Sequence, residues 1–134
     1  YARTEDLKRQ GYDVRVQIAI PAETGIADPD LVVAFGNLLD NAAEASGGSD
    51  RKAIGINALM QMGFLRIEVT NSIAEAPKTK KRRIPQLERG IGIHICQKLA
   101  EEYQGSFTFV REGDTATATL FLKGATPLAN DRDL

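Results

Sequence analysis

The 134-residue sequence predicts one α/β domain with helices packed on one face of a mixed β-sheet. Three observations carry that prediction. Segments alternating with period two are interrupted by segments with a period near 3.6, in the order strand, helix, two strands, helix, two strands. Each helical run carries a single apolar stripe, so each needs one surface to cover it. The length and a hydrophobic content of 43% suit a single core shared by a sheet and a helix layer.

Residues 3–10 are polar and read as the tail of a helix arriving from upstream. Val14, Val16, Ile18 and Ile20 alternate with polar residues, giving a half-buried strand closed by Pro21. A loop leads to Asp28-Pro29-Asp30, a helix start with Asp28 as N-cap and Pro29 in the first turn. This helix is expected to reach about Ser46, stop at Gly47-Gly48, and turn Val32, Phe35, Leu39 and Ala42 to the core. Residues 52–61 and 64–71 read as strands joined at Gly63.

Residues 72–89 have no apolar period and hold Pro77, Lys78, Lys80, Lys81, Arg82, Arg83 and Pro85. So long a connection inside a compact domain is functional or disordered. Gly90-Ile91-Gly92 then opens a second helix, with Ile93, Cys96, Ala100 and Tyr103 on one face and Gly105 at its C′ position. Two strands, about 106–111 and 115–122, turn at Glu112-Gly113-Asp114, and a polar, disordered tail occupies 125–134.

Bulk properties exclude several classes. A net charge of −1 gives no overall field for nucleic acid or membrane. No apolar run approaches the ~18 residues of a membrane span, so no membrane contact is expected of this segment. The single cysteine, Cys96, excludes an internal disulfide framework and fits a reducing compartment. The chain opens Tyr1-Ala2-Arg3 without an initiator methionine and reads as a fragment of something longer.

Two constellations carry chemistry. Asn37 and Asn41 lie four residues apart with Glu44 three further on, so all three project from one side of the first long helix. Asparagine is a mediocre helix former, and two of them beside a carboxylate ask for a reason. An amide oxygen is a neutral, hard ligand suited to Mg²⁺, which takes its other oxygens from water and substrate phosphates. A solvated polar face accounts for the same residues equally well. Gly90-x-Gly92 at a helix start offers backbone N–H groups and a positive helix end to a phosphate. Read alone it favours a simple turn.

Together these segments resemble a known family. Asn37-Leu-Leu-Asp-Asn41-Ala is similar to the N box of the GHKL ATP-binding superfamily, and Gly90-Ile-Gly-Ile-His-Ile-Cys-Gln-Lys-Leu-Ala to its second glycine box. The resemblance covers about residues 10–123, and within it the chain is most similar to catalytic domains of bacterial sensor histidine kinases. The peptide-sensing receptors of the accessory-gene-regulator type are the nearest group. The resemblance implies a two-layer α/β sandwich with a mixed, mostly antiparallel sheet. It divides the chain into an upstream tail (1–10), an ATP-binding catalytic domain (11–124) with an ATP lid (72–89), and the tail from 125.

Carried over by position, Asn41 would ligate Mg²⁺, and Asn37 would contact phosphate or metal-bound water. Glu44 would orient that face, and Gly90 and Gly92 would wrap the phosphates. Thr115 would match a threonine that the superfamily places near adenine. One departure stands out. Many members end the middle strand with an aspartate that accepts a hydrogen bond from the adenine amino group, in a DxGxG box. Here Asn71 holds that place, and its amide oxygen can still accept.

The function so implied is that of a protein-histidine kinase. It binds Mg-ATP and passes the γ-phosphoryl group to a histidine on a separate phosphoacceptor domain, upstream of a response regulator. The setting implied is the cytoplasmic part of a bacterial membrane receptor. A non-catalytic nucleotide-sensing module, a pseudokinase or anti-sigma-type regulator, is the alternative that Asn71 keeps open. A gyrase-like hydrolase needs a general base one turn before the metal asparagine, where this chain has Asn37, and an amide cannot be that base. His94, the only histidine, falls inside the glycine box and is expected as a polar residue rather than a phosphoacceptor. The run from Lys78 to Arg83 lacks interleaved aromatics and reads as a lid over phosphates, with no nucleic-acid partner. Cys96 reads as core.

Overall fold

The computed structural model describes residues 2–47, 52–73 and 84–124, by backbone alone at 2–3 and 84–92. The elements run α1 (Ala2–Arg9), β1 (Asp13–Ala19), α2 (Asp28–Ser46), β2 (Ala53–Gln61), β3 (Phe64–Ser72), α3 (Ile84–Glu102), β4 (Ser106–Glu112) and β5 (Thr115–Lys123). The five strands form one sheet in the order β1-β2-β3-β5-β4. Only β1–β2 is parallel; the other pairs are antiparallel. The expected mixed, mostly antiparallel sheet with helices on one face is what the chain builds.

Local chemistry sets the hairpins. Met62 (φ 54°) and Gly63 (φ 84°) both lie in the left-handed region, the conformation a two-residue type I′ turn requires between β2 and β3. Gly113 (φ 61°) supplies the positive φ between β4 and β5. Alternation then sorts the side chains. Leu65, Ile67 and Val69 of β3 face the helices and are buried, paired with Leu122, Leu120 and Ala118 of β5. Arg66, Glu68 and Thr70 point to the uncovered face, where the Arg66 guanidinium meets Glu68 at 3.1 Å. Burying a side chain such as Ile67 or Leu120 contributes about 1.5–3 kcal/mol, so the β3–β5 register is strongly specified.

The helix layer departs from expectation in four places. In α2 the buried residues are Ala34, Leu38, Leu39, Ala42 and Ser46, with Phe35 partly buried; Val32 is 71% exposed. Val32 and Leu39 share a flank, but only its C-terminal end is covered, where Tyr12 Oη donates to the Ala43 carbonyl at 3.0 Å. Periodicity gives direction around a helix axis, not what lies opposite along it. The N-cap is Ala27 rather than Asp28, and no side chain of the chain's own first turn caps it.

The third departure is at the start of α3. This helix begins at Ile84 and passes through Gly90 and Gly92, so the glycine pair lies inside the helix instead of opening it. Residues 84–89 of the expected lid are therefore helical and Ser72 ends β3, while 74–83 lie outside the described residues. The fourth is at its end. Gln104 (φ 54°) is the left-handed C′ residue, and the Gly105 N–H reaches back to the Ala100 carbonyl at 2.8 Å, which makes Gly105 C″. Gly105 is required for a different reason: a Cβ there would sit 1.7 Å from the Phe121 carbonyl oxygen.

The core lies between the sheet and α2 and α3, and Leu7 of α1 joins it. The segment expected as an upstream tail is thus docked through Leu7 and Thr4, both buried. The tail from residue 125 lies outside the described residues. Among the described residues no helix is long and apolar enough to cross a membrane.

Candidate functional site

A cleft opens between α2 and α3 above the sheet. Asn41 and Ala45 of α2, Asn71 of β3, Ile93 of α3, and Phe107 and Phe109 of β4 line it. Its free volume is only about 10 Å³, far below the ~300–1,000 Å³ usual for small-molecule sites, so the cleft is closed in this structure. The walls are mainly apolar, with two amides as the polar groups.

Asn71 reaches the cleft because it continues the helix-facing alternation Leu65, Ile67, Val69 at the end of β3. It is 5% exposed. Its Nδ2 donates to the Ser72 carbonyl at 3.0 Å, and a carbonyl can only accept, so the amide has one orientation. Oδ1 is the amide atom left to accept from a ligand, since Nδ2 is taken by the Ser72 carbonyl.

Asn37 is oriented in the same way. Its Nδ2 donates to the Val33 carbonyl one turn back, at 2.8 Å, so Oδ1 is the atom it presents outward. Asn37 and Asn41 are half-buried and Glu44 is exposed. An acceptor suits a cation or a bound water better than a phosphate oxygen, which narrows the two contacts expected of Asn37. The donor set also bears on the metal. Among the described residues no three His, Cys, Asp or Glu side chains cluster as a metal site. Two amide oxygens with one exposed carboxylate fit Mg²⁺ carried in on phosphates, which needs only one or two protein ligands.

The other expected residues are distributed differently. Gly90 and Gly92 precede Ile93 at the cleft, but their backbone is helical. Thr115 does not line that cleft; it lines a second hollow with Asn71, Ser72 and Arg15. It pairs with Ser72 in the register and shares the uncovered face with Thr117 and Thr119, and its Oγ1 donates to Asp114. The β5 residue beside Asn71 is Ala116. A one-residue offset in a strand moves a side chain to the opposite face, so Ala116 rather than Thr115 shares the face of Asn71. His94 is exposed, and the run Lys78 to Arg83 lies outside the described residues. Cys96 is fully buried, and burial pushes its thiol up to about 11, so it stays protonated and unreactive.

Sequence reasoning missed four contributors. Phe107 and Phe109 line the cleft, and their period-two spacing was a usable signal. The Ser72 carbonyl that orients Asn71 has no sequence signal. Nor does the pin at the far end of the helix pair. There the Tyr103 phenol donates to the Asp30 carboxylate and accepts the Ala27 N–H at 3.2 Å. The bond to Asp30, then burial, raises the Tyr103 pKa above the ordinary tyrosine value. The Tyr103 carbonyl also accepts the Lys123 N–H at 2.9 Å. One residue thus ties the end of α3 to the start of α2 and to the sheet.

A family model described as the GHKL domain matches residues 27–122. Among solved structures, the chain is similar to a nucleotide-free form of the catalytic domain of histidine kinase ThkA. The identity is 21% over 90% of this chain and 83% of that one, with a TM-score of 0.65. It is similar to the Acinetobacter baumannii histidine kinase AdeS at 11% identity, covering 92% of this chain and 61% of that one, with a TM-score of 0.63. A histidine kinase from Burkholderia phymatum STM815 gives 16% identity over 93% of this chain and 67% of that one, TM-score 0.57. At such identities the likeness is one of fold. No curated protein matches.

Proposed function

This chain belongs to the GHKL domain family, and from that premise we propose that it binds Mg-ATP and passes the γ-phosphoryl group to a histidine on a separate phosphoacceptor domain. The convergence of Asn41 and Asn71 on one cleft carries the reading. Asn71 accepts from the exocyclic amine of the base, while Ala45, Ile93, Phe107 and Phe109 enclose its faces. Asn41 Oδ1 would hold Mg²⁺, and Asn37 Oδ1, oriented by the Val33 carbonyl, would accept from water beside it. Mg²⁺ bound on the phosphates supplies charge neutralisation there.

Catalysis in phosphoryl transfer is largely positioning and charge stabilisation. An imidazole nitrogen of the acceptor attacks the γ-phosphorus in line, a P–N bond forms, the P–O bond to the β-phosphate breaks, and ADP leaves. Water is a poor competitor as acceptor, because Asn37 cannot take its proton and Glu44 is exposed on the flank of α2 outside the cleft lining. The parent protein in this reading is a bacterial membrane receptor of the accessory-gene-regulator type, acting on a response regulator.

The neutral amide at Asn71 favours a second reading, a nucleotide-sensing module without transfer. One experiment separates the two. Calorimetric titration with Mg-ATP is followed by incubation with labelled ATP and a histidine-bearing acceptor domain. Binding with label on the acceptor supports the kinase; binding without label supports the sensor; no saturable binding at millimolar ATP removes both. The domain alone should give no phosphohistidine, and label on His94 would overturn the assignment of the acceptor to another domain.

A further inference from the structure

We infer that the outer edge of β1 is a self-pairing surface, on which a second copy of this chain lays its own β1 antiparallel with Val16 opposite Val16. The inference stands apart from the nucleotide reading. β1 lies at the opposite edge of the sheet from β4, whose Phe107 and Phe109 line the cleft.

The backbone supplies the first argument. Among the described residues β1 is paired on one side only. The Asp13 N–H bonds the Lys52 carbonyl at 2.8 Å. Such bonding alternates along a parallel ladder, so Arg15, Gln17 and Ala19 also turn their backbone groups to β2. Val14, Val16 and Ile18 turn theirs outward. An open edge of this kind is a template for another strand unless proline, a bulge or charge blunts it. The register of β1 runs without a bulge, residues 13–19 hold no proline, and the two charges, Asp13 and Arg15, pair with each other at 3.6 Å.

Side-chain cover supplies the second. On the helix side of β1, Val14 is buried in the core with Leu7 of α1, whereas Val16 is 39% exposed and Ile18 half-buried. α2 packs chiefly against α3 and β3 and leaves that end of β1 bare. An antiparallel second copy sets its covered end, with α1, against this bare end.

Symmetry and charge choose the occupant. β1 has seven residues with Val16 at the centre, so a two-fold axis there pairs the whole strand with itself. Val14 then faces Ile18 and Val16 faces Val16, each pair exchanging both N–H···O bonds. On the other face Arg15 lies opposite Gln17 and Asp13 opposite Ala19, so no like charges meet. Moving the axis to Arg15 would set two guanidinium groups opposite each other, which is unfavourable.

Sedimentation of the whole chain tests this. The average mass should rise from monomer toward dimer between about 10 μM and about 1 mM, as a small edge contact predicts. Val16→Lys should keep the urea midpoint and weaken association at least about tenfold. Should that variant unfold, Val16→Pro, which removes the outward N–H at an edge position, gives the same reading. Charge reads the register. Gln17→Glu sets a carboxylate opposite Arg15 of the other copy twice and should tighten association about threefold, while Gln17→Lys should weaken it about as much. With the axis at Gln17 or Arg15, Gln17→Glu would instead face a second carboxylate and weaken association. Monomer at every concentration, or a dimer that the Val16 variants leave intact, overturns the self-pairing. Association no tighter in Gln17→Glu overturns the Val16-centred register.

Discussion

The two ends of the α2–α3 pair are built on opposite plans. At one end a phenol, a carboxylate, an N-cap amide and a strand amide all satisfy one another through Tyr103. At the other, Asn71 and Asn37 are each turned by a backbone carbonyl that takes Nδ2 and leaves the amide oxygen to accept from a ligand. The difference is instructive because both ends share the same helices and the same sheet. Polar groups that satisfy one another give stability, while acceptors held in a fixed orientation by the backbone are ready for a ligand. One end sets the geometry and the other is available for chemistry.

Substitutions can break this contrast in order of size. The largest effect is expected at the satisfied end, where Gly105→Ala would drive a Cβ into the Phe121 carbonyl. A loss of about 3 kcal/mol or more should appear in the urea midpoint, or the protein should fail to fold. At the cleft end, Asn41→Ala should weaken Mg-ATP binding at least ~30-fold while leaving the urea midpoint nearly unchanged. Loss of fold rather than of affinity would place Asn41 with the structural group.

Asn71→Ala should reduce ATP affinity roughly tenfold and abolish preference for ATP over inosine triphosphate, because the acceptor for the exocyclic amine is gone. Tyr103→Phe should cost about 1–2 kcal/mol of stability, since two partly exposed hydrogen bonds disappear together. Its pH signature has a definite sign. A tyrosine whose folded pKa is raised contributes stability that is complete below the ordinary value of 10 and is lost as pH rises through the raised value. The wild type should therefore lose stability above pH 10 in a step that the Phe variant lacks. Smallest of all, Thr115→Val should leave ATP affinity unchanged, and a large loss there would return Thr115 to the site.

Much of the fold was legible beforehand, and the reason is periodicity. Residues 64–71 and 115–122 alternate so regularly that strand identity and inward face follow from residue order alone, whereas in β1 the alternation gives the strand but Val16 is exposed. Asn37, Asn41 and Glu44 sit on one helix side for a similar reason, since 3.6 residues per turn is a property of the backbone. Where the reading missed, the deciding partner was remote in sequence. Val32 is exposed because none of the described residues covers its side of α2, and the Ala27 N–H just ahead of the helix is taken by Tyr103.

The glycine pair sharpens the point. From the sequence, Gly90 and Gly92 should open a helix because glycine weakens helices; in the fold the helix runs through them. Local propensity differs by only about 1 kcal/mol per glycine, less than packing along a helix can override. The sequence by itself determined the element order, the inward faces and the residue types able to hold a metal-nucleotide. The tertiary structure decided that Asn41 and Asn71 share one cleft, that Thr115 lies on the other face, and that Tyr103 pins the helix pair. Those outcomes depend on contacts between residues far apart in the chain, which no local period encodes.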